Sequence, residues 1–369
     1  MDFAWSEEQR KIHDRMRDLG ASVDSMPPGE RLGALARGGA LGLPIPTAFG
    51  GEGLDLVTTA YAYEGLGRAL RDAGVLLGAG AHLFGVAMTV LRVGSESQKE
   101  QWLPKLARGE TLATVAATEE GSGSTIAAVE AVAERAGEGF RLTGKKRYVT
   151  IAEAAGVFFV VARDGREGRG LTALLVPRDT PGVSVGERLA TAGLRGAGLA
   201  PVGFAACAIG PEALLGKAGA GLAVFQIAMT FERALVLAFR LGAMERALEE
   251  AVSFARERTL GGVSIATHQA VSHRIARMKL RLETSRLLVY RAAWLLDQGA
   301  RGHAEAALAK WHLAESAVES ALDAMRLRGG EGFLEETGLA GDAIDALGGT
   351  IHSGTGDVLA TIVAKWLGI

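Results

Sequence analysis

Between residues 113 and 217 the chain changes texture, and that change limits the fold more than any other feature of the sequence. "TLATVAATEE", "AVAERAG", "GFRLTGKKRYVT", "GVFFVVARDG", "LTALLVPRDTPGVSV" and "PVGFAACAIG" are short β-rich runs parted by glycine and charged turns. Short strands at this spacing predict a small sheet or barrel. On either side the apolar residues recur at helical spacing instead. Upstream, "SEEQRKIHDRMRDLGASV" opens on Ser6, an N-cap residue with acids in the turn behind it. "LVTTAYAYEGLGRALRD" and "AHLFGVAMTVLRVGSESQKEQWLPKLARGE" continue the pattern, while "LGLPIPTAFGGEGLD" ahead of them is too rich in proline and glycine for regular helix. Downstream, helical patterns over 219–258, 267–298, 303–328 and a last segment after 353 predict a four-helix bundle. The length, 369 residues, suits two or three domains. The predicted fold is therefore mainly α with a central β-domain: an N-terminal helical domain over 1–112, a small β-barrel over 113–217 and a helical bundle over 218–369.

Composition removes several function classes. Hydrophobic residues make up 48% and charged residues 22%, with a net charge of −2, which suits a soluble globular protein and offers no basic surface to nucleic acid or acidic lipid. Cys207 is the single cysteine, so an internal disulfide and a cysteine-based metal cluster are both excluded, and a reducing cytoplasm is expected. The seven histidines show no metal-ligand spacing, and no metal is predicted. The N-terminus lacks a basic stretch followed by an apolar core, so no signal peptide is predicted. The apolar run 219–244 contains Gln226, Glu232, Arg233 and Arg240, and each central charge costs about 2.5–3.5 kcal/mol on insertion scales, so no membrane span is predicted there.

Chemistry concentrates in a few places. In "IAMTFERALVLAF" (227–239) an acid and a base stand together inside an apolar run. At 100° per residue, Gln226, Thr230, Arg233, Leu237 and Arg240 share one side of a helix, and Glu232 lies about 100° away on the apolar side. Such a carboxylate is either half of a salt bridge or a base whose pKa is raised by desolvation. "ATEEGSGST" (117–125) is a glycine turn whose amides can face a phosphate or a flavin oxygen. In "KKRYVT" (145–150) strand alternation predicts Tyr148 and Thr150 on one face, suited to a flat ligand or to plain strand surface. "RERTLGG" (256–262) with "HQAV" (268–271), and "RLRGGEGF" (326–333), end helices in glycines next to Arg258 and Arg326. Capping explains the glycines, and phosphate recognition is the alternative for the arginines.

In order along nearly the whole chain, "LGLPIPTAFGGEG", "GSESQKEQWLPKLARGE", "ATEEGSGS", "GLRGAGLAPVGFAACAIGPEALLG", "RERTLGG…HQAV" and "RGGEGF" resemble the acyl-CoA dehydrogenase family. The resemblance implies FAD lying between the β-domain and the bundle, usually in a homotetramer or a dimer of dimers. By position it implies Thr118 and Thr150 at the flavin ring, Tyr148 stacked on it, and Gly123 in the cofactor loop. Ser124 would sit near both cofactor and thioester, and Arg233 beside the substrate. Arg258, Thr259, Gln269, Arg326, Gly329 and Gly330 would hold the pyrophosphate and adenosine end, some across a subunit interface, with Thr355 and Asp357 at the remaining contacts.

In most of that family the base is a glutamate just before a Gly-Thr near the C-terminus, where "IHSGTGDV" (351–358) carries Ser353. A branch similar to isovaleryl-CoA dehydrogenase takes its base from the first bundle helix, directly before an arginine, which implies Glu232 here. Ser353 receives no role on that view, and its replacement by alanine is expected to matter little. The implied reaction is α,β-dehydrogenation of an acyl thioester, on CoA or a carrier protein, with FAD reoxidised by an electron-transfer flavoprotein. Two alternatives stay open: an FAD-sharing subunit of a heteromeric dehydrogenase, and a non-catalytic relative in which Glu232 makes only a salt bridge.

Overall fold

The computed structural model describes residues 4–165 and 170–369. Its N-terminal part is helical: α1 (Glu7–Asp24), α2 (Pro28–Arg37), α3 (Leu56–Ala69), α4 (Ala73–Gly80), α5 (Met88–Val93) and α6 (Glu96–Ala107). Ser6 caps α1 in a full capping box, its side chain accepting from the Gln9 amide while Gln9 reaches back. Between α4 and α5 the chain widens into a π-helical turn, Ala81–Ala87, buried throughout. Such turns are uncommon and concentrate at functional sites.

The middle of the chain forms seven strands: β1 (Leu112–Ala116), β2 (Val132–Ala136), β3 (Gly139–Val149), β4 (Ala155–Asp164), β5 (Leu171–Pro177), β6 (Val183–Val185) and β7 (Ala200–Ile209). They make one mixed, curled sheet. β4 carries antiparallel β5 along one edge, and parallel β1 then β2 along the other; β3, β7 and β6 follow outward from β2. The expected small barrel is thus a half-barrel. Alternation along β4 sends Val157, Phe159 and Val161 into the core shared with the helices, and Phe158, Val160 and Ala162 into the β-domain's own core. Burial on both faces explains why this strand reads as a continuous apolar run.

The C-terminal part comprises α7 (Gly221–Leu235), α8 (Ala238–Glu257), a small hairpin of β8 (Thr259–Leu260) and β9 (Val263–Ser264), α9 (Gln269–Asp297), α10 (His303–Arg328), α11 (Leu339–Gly349) and α12 (Gly356–Trp366). Two departures from the sequence reading matter. The helix expected over 219–258 breaks at Val236 and Leu237, so the side-chain stripe projected from Gln226 to Arg240 does not persist. Arg240 is consequently buried, and its Nε and Nη2 meet no protein acceptor. In addition, α11 fills a stretch where no helix was expected.

Two apolar helical stretches, Ala73–Val93 and Gly221–Glu257, are long enough to cross a membrane by length and composition. Their most apolar windows are 94% and 67% buried inside the fold, which is how core helices of a globular protein behave. Both face the point where the three parts of the chain meet, and that point holds the site.

Candidate active site

Glu232 lies near the end of α7 and is 8% exposed. Oε1 accepts a short hydrogen bond from Ser353 Oγ, on the turn between α11 and α12. On the other side stands the π-helical turn: a Cβ added to Gly85 would lie 2.7 Å from Glu232 Oε2 and 3.1 Å from Val115 Cγ2 on β1. The missing side chain at Gly85 is thus the space the carboxylate occupies. Helical domain, sheet and bundle each supply one wall.

The turn carrying Ser353 is held by two cations. Arg233 Nε donates to the Ser353 carbonyl at 2.8 Å, and Lys310 Nζ, from α10, donates to the Gly354 carbonyl at 2.6 Å. Ser353 adopts φ +56°, a left-handed conformation unusual for a residue with a side chain, and these two bonds over-determine it. His352 Nδ1 lies 3.0 Å from Ser353 Oγ.

Burial governs the electrostatics. It raises the Glu232 carboxyl above its ordinary value of 4.5, while the Ser353 hydrogen bond, Arg233 and Lys310 pull back. Lys310, only 1% exposed, is pushed down to about 7 by burial and by Arg233. Burial, with Lys310 and Arg240 nearby, pushes His352 down to about 3, so it is neutral at physiological pH. A desolvated carboxylate with one hydroxyl donor and no direct cation partner suits proton abstraction rather than ion pairing. The salt-bridge reading of Glu232 is not what the geometry shows: Arg233 spends its Nε on a backbone carbonyl.

Proton removal by Glu232 requires the ionised carboxylate, so kcat/KM falls as pH drops through its pKa. The acidic limb is expected above 4.5 and should disappear in Glu232→Gln; a pH–rate profile checks both. Gly85→Ala should displace the carboxylate without unfolding the helix. A loss of about 10–100-fold in kcat with unchanged flavin binding is expected, since roughly 1 Å of misplacement can cost that much.

The glycine turn behind β1 is anchored by a pair that sequence reading passed over. Lys146 is fully buried and donates to Glu119 Oε1 at 2.6 Å and to the Ala117 carbonyl at 2.9 Å. Glu119 also accepts from the amides of Glu130 and Ala131. The acid pair in "ATEEG" with a lysine inside the alternating "KKRYVT" was the available signal. With its root fixed, the loop leaves Gly121, Gly123 and Ser124 exposed. Among the described residues their amides, and the hydroxyls of Thr118, Ser124 and Thr150, meet no protein partner, and a Cβ on Gly121 or Gly123 would touch nothing within 4 Å. Open, unsatisfied donors of this kind fit a ligand rich in acceptor atoms, as FAD is.

One sequence expectation is corrected here. Tyr148 and Thr150 do not alternate on a strand face: Tyr148 takes φ +57°, the β3–β7 register shifts between Lys146 and Val149, and Thr150 lies beyond the strand. The bulge turns the Tyr148 ring outward, 51% exposed, with the Arg147 guanidinium 5.0 Å from its centroid.

The remaining expected cofactor residues gather elsewhere. Arg258 and Thr259 begin the β8–β9 hairpin, Gln269 opens α9, and Arg326, Gly329 and Gly330 end α10, where Gly329 takes φ +61°. Arg274 and Arg281 of α9 both pair with Asp323 of α10, so these groups share one end of the bundle. Thr355 caps α12 without using its hydroxyl, and Asp357 is exposed in that first turn. No hydrogen bond or ion pair among the described residues joins this end of the bundle to the loop at 118–124.

A base wedged between a helical domain, a half-barrel and a bundle, beside a donor-lined opening, defines a flavin-type dehydrogenase architecture. Family comparison places it. The acyl-CoA dehydrogenase N-terminal domain matches residues 6–110, the middle domain 114–207 and the C-terminal domain 219–368. The chain belongs to the acyl-CoA dehydrogenase family. It is 40% identical over 332 residues to an L-prolyl-[peptidyl-carrier protein] dehydrogenase of Pseudomonas fluorescens, covering 89% of this chain and 87% of that one. Among solved structures, the prolyl acyl carrier protein oxidase AnaB superposes with a TM-score of 0.95 at 33% identity, covering 99% of this chain and all of that one. PigA with FAD and proline superposes with a TM-score of 0.94 at 33% identity, covering 100% and 99%.

Proposed function

We propose that this chain catalyses FAD-dependent α,β-dehydrogenation of an acyl thioester, with Glu232 as the base and a prolyl group on a carrier protein as the substrate. The observation that carries the chemistry is the Glu232 carboxylate, buried, hydrogen-bonded by Ser353 alone and given its space by Gly85. A thioester α-C–H is a weak acid, and a desolvated carboxylate held close to it can take that proton. FAD, when bound, supplies the acceptor for the β-hydride. On a prolyl thioester the two losses leave a double bond between the α- and β-carbons of the ring. The carrier-bound prolyl assignment is supported by the relatives named for that substrate, at 40% and 33% identity over most of their length.

Thr118, Gly123, Ser124, Tyr148 and Thr150 are the residues that would face the flavin ring, with Ser124 and Arg233 toward the substrate. Arg258, Thr259, Gln269, Arg326, Gly329, Gly330, Thr355 and Asp357 would take the phosphate and adenosine end, in part from a neighbouring subunit. Their separation from the 118–124 loop within one chain supports that division. A homotetramer or dimer is supported by the face of α9, where Leu280, Leu287 and Trp294 recur at seven-residue spacing and are each more than half exposed.

The test is anaerobic: the flavin band is followed while prolyl-loaded carrier protein, free proline and a panel of acyl-CoAs are added. Bleaching by the prolyl carrier thioester alone is expected. Bleaching by acyl-CoAs instead would move the substrate assignment to CoA and leave Glu232 chemistry intact. Reoxidation by air against reoxidation by an electron-transfer flavoprotein then identifies the acceptor.

A further inference from the structure

We propose that Ser353 and His352 form a proton relay that carries the abstracted α-proton from Glu232 to solvent. The inference rests on Glu232 being the base. A buried base with substrate over it must be emptied before each turnover, and the geometry offers one exit. Among the described residues, Ser353 Oγ is the sole hydrogen-bond partner of the Glu232 carboxylate; Oε2 faces Gly85 and Val115. Ser353 Oγ is in turn within 3.0 Å of His352 Nδ1. His352 is partly exposed, and its Nε2 has no protein partner among the described residues. The chain of contacts therefore runs from buried carboxyl through hydroxyl to an imidazole whose far nitrogen is free to meet water.

The transfer balances without a co-reactant. Glu232 Oε–H gives its proton to Ser353 Oγ, Ser353 Oγ–H gives its own to His352 Nδ1, and His352 Nε2–H gives its own to water. Glu232 is left ionised and accepting from Ser353, with His352 donating from Nδ1, which is the hydrogen-bond pattern of the resting site. Water at Nε2 resets the tautomer. The charged groups facing the relay are Arg233 from α7, Arg240 from α8 and Lys310 from α10; they hold the imidazole neutral, so it passes a proton without storing one.

His352→Asn keeps a hydrogen-bonding atom near the Nδ1 position but cannot carry a proton through. In the flavin-loaded enzyme, a single anaerobic turnover is followed by flavin bleaching and, in weak buffer, by a pH-indicator dye. Wild-type proton release is expected to track bleaching. In His352→Asn, bleaching should stay within about threefold of wild type while release lags by at least about tenfold, and added imidazole should restore it. Release that still tracks bleaching in the variant would overturn the relay. So would bleaching and release slowed together, which would make His352 a residue that only positions Ser353. If no thioester bleaches the wild-type flavin, the dehydrogenase reading fails, and the relay is still decided without substrate. An infrared pH-jump then follows the Glu232 carboxyl band, assigned by its absence in Glu232→Gln. Protonation slowed at least about tenfold in His352→Asn supports the relay, and equal rates overturn it. Should His352→Asn not fold, His352→Gln is measured in the same way.

Discussion

Replacing Glu232 with glutamine is expected to lower the rate of flavin bleaching by about 10²–10⁴-fold while leaving flavin and thioester binding intact. The amide keeps the shape of the side chain and can still accept from Ser353 Oγ, so the walls built from Gly85, Val115 and the 352–354 turn are not disturbed. What is lost is the ability to hold a proton. A variant that keeps most of its bleaching rate would remove Glu232 from the chemistry altogether. The complementary test places a carboxylate where most of the family has one. Ser353→Glu in the Glu232→Gln background should return weak activity, limited by the φ of +56° that the turn imposes on residue 353.

The second large effect concerns stability. α3 and α8 cross with almost no room between their backbones. A Cβ on Gly67 would come 1.8 Å from the Phe239 carbonyl oxygen, and one on Gly242 would come 1.9 Å from that of Glu64. Neither clash can be relieved by turning a side chain, because the obstructing atoms are main chain. Gly242→Ala should therefore cost about 3 kcal/mol, the upper end of ordinary overpacking, and lower the thermal midpoint accordingly. Gly341→Ala, in α11 with nothing within 4 Å of its added Cβ, is the control and should stabilise by roughly 0.5–1 kcal/mol through helix propensity. An unmoved midpoint in Gly242→Ala would mean the helices do not approach as described. The crossing also matters to the site, since Glu64 beside it accepts from Arg286 and Tyr290 of α9 and ties the N-terminal helices to the bundle.

These two predictions differ in how far the sequence announces them. Glu232 was visible because a carboxylate inside "AMTFERALVLAF" conflicts with its surroundings, and such conflicts mark sites. The alternating layout of helix, strand and helix was visible because apolar periodicity is a local property. Ser353 was not visible as a partner: it lies 121 positions from Glu232, and only the fold brings the two together. The break at Val236–Leu237 hid among apolar residues that would serve a helix equally well. Tyr148 in a left-handed conformation defied its own strand preference, since the bulge is set by the pairing of β3 with β7 rather than by the tyrosine. Gly85 gave no signal at all, because a glycine reserving space for another side chain looks like any other glycine.

That last residue has a consequence for how this protein can be recombined. The proton-accepting group, its hydroxyl donor and the two cations that steady the turn all belong to the C-terminal bundle, and a graft of that bundle would carry them as a set. The clearance they need belongs to the N-terminal helical domain, 147 positions earlier in the chain. A chimera whose N-terminal domain bore any side chain at position 85 would fold, keep every group that does chemistry, and still have nowhere to put its base. Compatibility between modules from different relatives is thus decided by an atom that is absent from one of them.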